Sequence, residues 1–131
     1  MAQIEQGATL HLKWRSCGSD NHWCSLDDLD LTCNSLTKGG VYIIWMENCS
    51  GQARRTIYVG QGKPIAKRLS RHCKKKVIRC YQNSTYVLKV TWATARKNDR
   101  GGIENFLANK LNPYEGKRWS QDNPIKVNLP W

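Results

Sequence analysis

Acidic residues are scarce in this 131-residue chain. Ten Asp and Glu stand against 21 Lys and Arg, a formal charge of +11. Such an excess speaks to partners rather than to fold, and nucleic acid is the leading candidate. Long apolar runs are missing as well. No stretch approaches the ~20 apolar residues of a membrane span, so no membrane partner is expected. Met1-Ala2-Gln3-Ile4-Glu5-Gln6 has no apolar core behind a basic start, and no secretion signal is read there. The six cysteines (Cys17, Cys24, Cys33, Cys49, Cys73, Cys80) contain no CxxC pair. Without a secretion signal they are expected to be reduced thiols of a cytoplasmic protein. The spacing of Cys17, His22, Cys24 and Cys33 fits none of the usual zinc-ligand pairs, which favours thiols and a surface histidine over a metal site. Repeats, low-complexity runs and evident linkers are absent. The length suits one domain with a respectable core.

What is present centres on residues 40 to 72, GVYIIWMENCSGQARRTIYVGQGKPIAKRLSRH. Val41-Tyr42-Ile43-Ile44-Trp45 and Thr56-Ile57-Tyr58-Val59 are β-branched and aromatic. The polar, Gly-containing segment from Asn48 to Arg55 joins them, which predicts a hairpin. Strand alternation places Val41 and Ile43 opposite Tyr42, and Ile57 and Val59 opposite Tyr58, so both tyrosines fall on one face. Pro64 suits the first position of a helix. In that helix Ile65 and Leu69 form a packed stripe, while Arg68 and His72, also four apart, share a neighbouring face. Two tyrosines, an arginine and a histidine over one groove suit a phosphate-bearing ligand.

The rest of the chain supports this centre. Arg71, Lys74, Lys75, Lys76 and Arg79 form the densest basic run, directly after the groove, and are read as contacts to a nucleic-acid backbone. Lys63 and Lys67 are weaker candidates for flanking phosphates. Tyr86 to Trp92 predicts a strand central to the sheet. Asn98-Asp99-Arg100-Gly101-Gly102 opens a helix in which Ile103, Phe106, Leu107 and Leu111 pack on the sheet. Glu104 borders that apolar stripe, near the helix N-terminus, a place that favours the ionised carboxylate. Pro113 ends the helix. In the N-terminal arm, Thr9 to Trp14 alternates like a strand, and Ser25 caps a short helical turn. Trp14 and Trp23 are expected to pack the arm onto the domain. The tail from Asn123 to Trp131 is extended and suits an edge strand or a clasp.

Gly40-Val41-Tyr42, Tyr58-Val59-Gly60, Arg68 ten residues beyond the second tyrosine, and His72 four further on together resemble the GIY-YIG nuclease family, as does Glu104 within Gly-Ile-Glu-Asn-Phe-Leu. The resemblance covers residues 39 to about 116. It implies a small α/β (α+β) fold, a central three-stranded mixed or antiparallel sheet flanked by helices. Residues 1–38 are then an extension and 117–131 a tail. It implies a metal-dependent DNA endonuclease using one Mg2+ or Mn2+ held by Glu104. Arg68 clamps the scissile phosphate, since a guanidinium donates two parallel hydrogen bonds and keeps its charge. Tyr42, with Tyr58 nearby, is the general base or water-orienting group, and His72 is an alternative proton acceptor. Many members carry an asparagine three residues after the proline that closes the glutamate helix, where this chain has Gly116. The rival reading is a nucleic-acid-binding module without cleavage; a second is an interaction protein with Trp14, Trp23 and Trp131 at its interface. No separate DNA-recognition domain is visible, so the arm or a protein partner is left to supply target choice.

Overall fold

The computed structural model describes residues 9–16, 23–48, 54–116 and 122–131. Its frame is an antiparallel sheet of β1 (Cys24–Ser25), β2 (Gly40–Asn48), β3 (Arg54–Gly62) and β4 (Tyr86–Thr94), in the order β1-β4-β2-β3. The strand order explains the composition of β2. With β3 on one side, β4 on the other and helices over both faces, it is buried almost throughout, and it reads as a nearly continuous apolar run. Three strands were expected and the fourth is the two-residue β1, paired through Cys24 with Val90 and Ser25 with Lys89. So short and polar a segment carries no alternation to read. Ser25 therefore belongs to a strand; the 3-10 turn Leu26–Asp28 that follows has no side-chain cap from it.

Helix α1 spans Ile65–Lys74, α2 Lys76–Arg79 and α3 Lys97–Leu111. Pro64 sits one position before α1 with extended backbone. The sheet divides two cores. On one face Tyr42, Ile44 and Leu88 meet Ile65 and Leu69 of α1; on the other, Val41, Ile43, Trp45 and Val59 meet Ile103 and Leu107 of α3. The alternation of β3 breaks at one point. A register shift between Ile44 and Trp45 pairs Ile44 with Tyr58 but Trp45 with Thr56, leaving Ile57 without an opposite residue. Ile57 therefore packs on the Tyr42 side while Val59 packs on the other. The expectation that Ile57 and Val59 share a face fails through this bulge, the usual effect of one extra residue in a ladder.

The arm and the tail hold each other. Leu10 forms a single parallel bridge with Val127, in place of the strand expected from Thr9 to Trp14. The Asn128 side chain accepts from Leu12 N–H at 2.6 Å and donates to Leu12 C=O at 3.0 Å. Arg15 joins the arm to β4 through Trp92 and Thr91. Of the three tryptophans offered for an interface, Trp14 Nε1 donates to Asn128 C=O at 2.9 Å, and Trp23 and Trp131 both pack against the ring of Trp45, at 5.5 and 4.8 Å, with Trp131 still exposed on its other side. After α3, Tyr114 and Glu115 N–H groups donate to Thr56 and Ile57 C=O and cover part of the free edge of β3.

The cysteines depart from expectation at one place. Cys24 is disulfide-bonded, and none of the free thiols Cys33, Cys73 and Cys80 is its partner. The reduced-thiol argument for a cytoplasmic location therefore loses its support there. Among the described residues no helix is long and apolar enough to cross a membrane, and no group of three or more His, Cys, Asp or Glu is placed to hold a metal.

Candidate active site

The cleft forms where the start of β2, the end of β3 and two helices converge. Tyr42 projects from the middle strand and Tyr58 from the edge strand on the same face, their rings stacked at 6.1 Å and 12°. Gly60, in register opposite Tyr42, makes room for this. A Cβ at Gly60 would collide with the Tyr42 hydroxyl and lie 2.8 Å from the Tyr58 ring, far inside contact distance. A Cβ at Gly62 would lie 2.6 Å from Arg68 Cγ, so the second glycine of β3 lets the arginine stem cross the strand end. The guanidinium of Arg68 lies beside the hydroxyls of both tyrosines and acts electrostatically on them.

His72, one turn beyond Arg68 on α1, is only 2 % exposed. Its Nε2 lies 2.8 Å from the Tyr42 hydroxyl, and its ring packs 4.3 Å from that of Tyr58. Its Nδ1 is buried without a partner. Burial, reinforced by the cations Lys75 and Arg68, pulls the His72 pKa down to about 4. Burial and then the neighbouring Tyr58 push the Tyr42 phenol well above its ordinary value, with Arg68 opposing them. Neither group is a ready base in the free protein.

Glu104 reaches the cleft from the opposite face of the sheet. It is 9 % exposed and accepts a hydrogen bond from Gln61 Nε2 at 3.1 Å. Helix α3 begins at Lys97, so Glu104 stands two turns inside it, beyond the reach of the N-terminal partial charge. Its carboxyl pKa is raised rather than lowered: burial dominates, and the Gln61 hydrogen bond and Arg68 only offset it. A divalent cation fits this carboxylate. Magnesium is commonly held by one or two carboxylates, with waters and substrate phosphate filling its shell, and a buried anion with raised pKa gains from a cation beside it.

Gln61 was missed in the sequence. It sits two residues past Val59, in register opposite Val41, on the α3 face of β3. A polar residue continuing an apolar strand face beside a buried carboxylate was the available signal. The basic candidates divide. Lys63, Lys67 and Arg71 line a cleft of about 250 Å³ with Gln61, Gly62 and Arg68. Lys74, Lys75 and Lys76 are exposed beyond it. Arg79 is instead paired with Asp27, which also accepts from Gln82 at 2.8 Å. Gly116 has φ 82°, a left-handed conformation that glycine and asparagine tolerate best.

A small α+β domain that gathers two tyrosines, an arginine and a buried glutamate in a basic cleft belongs to the class of proteins equipped to handle phosphate esters. Residues 38–118 match the model of the GIY-YIG catalytic domain. The chain is a member of that nuclease family. No curated protein and no solved structure matches it significantly.

Proposed function

We propose that this protein is a metal-dependent endonuclease acting on DNA. The observation that carries the reading is the meeting of Glu104 with Arg68 and the Tyr42–His72 pair across one strand end, although the two sides come from opposite faces of the sheet. Arg68 grips the scissile phosphate by its fork of N–H groups. Tyr42 orients the attacking water. As the water oxygen bonds to phosphorus, its proton passes to the Tyr42 oxygen and the Tyr42 proton passes to His72 Nε2. The ester P–O bond breaks, and the departing oxygen takes a proton from solvent. This relay suits a phenol whose burial opposes ionisation, because no free phenolate is required. A cation held by Glu104, with Gln61 fixing the carboxylate, would polarise the phosphate and stabilise the leaving oxygen.

The charge of +11 and the lysines flanking the cleft support DNA as the substrate. Binding without cleavage is the second reading, favoured by Gly116 at the usual asparagine position. A screen with Mg2+ and Mn2+ over duplex, single-stranded, flapped and branched DNA separates the two. Cleavage by wild type and none by Glu104→Ala supports the nuclease. Tight, salt-sensitive binding with no cleavage of any substrate supports the binding module.

A further inference from the structure

We propose that Lys38 and Arg100 form a second phosphate subsite, on the opposite side of the start of β2 from the Lys63–Lys67–Arg71 cleft, so that the substrate strand is held on both sides of the scissile bond. The proposal rests on the nucleic-acid substrate of the reading above. Gly40, the first residue of β2, is in register with Gly62 of β3 and with Thr94 of β4. Gly62 lines the first cleft, and Thr94 lines a separate cavity of about 330 Å³ with Lys38, Gly39, Ala95, Arg96 and Arg100. Neighbouring strands lie ~4.8 Å apart, so the two floors are separated by roughly 10 Å across one sheet end.

Main-chain hydrogen bonds tie the chain down at this corner. Lys38 C=O accepts from Ile65 N–H, the first amide of α1, at 2.9 Å, and Gly39 C=O accepts from Ala95 N–H at 3.1 Å. The link between the two clefts is thus tied to α1 on one side and to the end of β4 on the other. Arg100 Nε donates to Ala95 C=O at 3.0 Å. Its terminal nitrogens fill the space where a Cβ on Gly39 would stand. The guanidinium is therefore held against the cavity floor rather than free in solvent. Arg100 lies one helical turn before Glu104 on the same side of α3, an interval of ~5–6 Å between Cβ atoms. The remaining cation, Arg96, is 3.5 Å from Asp99 and partly answered by it, which leaves Lys38 and Arg100 as the anion-binding pair.

The arrangement suits a nucleic-acid strand. Such a strand carries a negative phosphate at every nucleotide, so two cationic floors on either side of one sheet end can be met by different phosphates of the same strand. Tyr42 lies two residues beyond Gly40 on β2, and Glu104 one turn beyond Arg100 on α3. Substrate bound at both would be drawn across the reacting groups rather than along one side of them.

Binding of a fluorescent DNA duplex in EDTA, followed by anisotropy over a salt series, tests this without relying on cleavage. The Lys38→Ala/Arg100→Ala double variant should bind several-fold more weakly. Its plot of log affinity against log salt should be shallower by about 0.9 for each phosphate that is no longer neutralised. Arg100→Lys should keep the wild-type slope, which a merely structural role for Arg100 would not predict. Lys110→Ala, exposed ten residues further along α3 and so ~15 Å away, serves as the control and should also keep it. Wild-type slope in the double variant would overturn the subsite and leave the nuclease reading standing. Absence of salt-dependent DNA binding by wild type would overturn the reading itself and the subsite with it.

Discussion

His72 illustrates how one buried side chain ties chemistry to stability. The unfolded chain protonates it near pH 6.5, the folded protein only near pH 4, because burial and then Lys75 and Arg68 oppose the charge. The unfolded state holds the extra proton between those values, so stability rises with pH across that window and is lost as pH falls through it. The gap is on the order of 3 kcal/mol. Thermal melts from pH 4 to pH 7 should show this rise in wild type and a flatter profile in His72→Phe; equal profiles would place the ring in solvent. Asp27, whose carboxyl Arg79 holds below its usual value, acts in the same direction at lower pH and is retained in the variant. Glu104 has the opposite sign, because ionising it is penalised by burial. Glu104→Gln keeps an oxygen for the Gln61 amide and removes the charge. Its urea midpoint should equal or exceed that of wild type, whereas a clear loss would mean that the carboxylate stabilises the fold.

At the scale of elements, the strand pair and its glycines decide whether the cleft exists. Gly60→Ala would press a methyl into the Tyr42 hydroxyl, and the ring must move away from His72. Overpacking of this kind costs ~1–3 kcal/mol. Cleavage should fall more steeply than stability, measured by kcat beside a denaturant midpoint; full activity would show that the ring position is unimportant. The arm–tail clasp depends on Asn128, which satisfies both backbone groups of Leu12. Asn128→Ala should lose ~1–3 kcal/mol, because a part-buried donor and acceptor are left unpaired. An unchanged midpoint would place the clasp outside the cooperative unit. The hairpin was readable because two β-branched and aromatic runs flank a polar connection, and α1 and the apolar stripe of α3 because period 3.6 stands out over ten residues or more. The two-residue β1 and the bulge at Ile57 were not. Both are set by what the partner strand offers, not by the local residues. The stretch Asn98 to Gly102 does open α3, but Gly101 and Gly102 lie inside it, where Gly102 C=O meets Ile125 N–H of the tail, so Glu104 stands deeper in the helix than expected.

For the molecule as a whole, the candidate site was legible as residue types at spacings, and the structure adds how they meet. Tyr42, Tyr58, Arg68 and His72 lie close in sequence on one side of the sheet, and alternation with helical spacing puts them together. Glu104 arrives from the other side, more than thirty residues later, and feels the charge of Arg68 past β3, the edge strand of the sheet. Gln61 left only a faint signal, a polar residue continuing an apolar strand face, and the Lys38–Arg100 pair left none; strand register places them. The central claim is that Glu104 seats a divalent cation against a phosphate gripped by Arg68. Single-turnover cleavage of an end-labelled DNA duplex across a Mg2+ or Mn2+ series, by wild type and by folded, DNA-binding Glu104→Gln, tests it most directly. The account predicts cleavage by wild type only with the cation present, and a loss on the order of a hundredfold or more in the variant at every cation concentration. Equal rates for the two proteins, or wild-type cleavage undiminished in excess chelator, would contradict it.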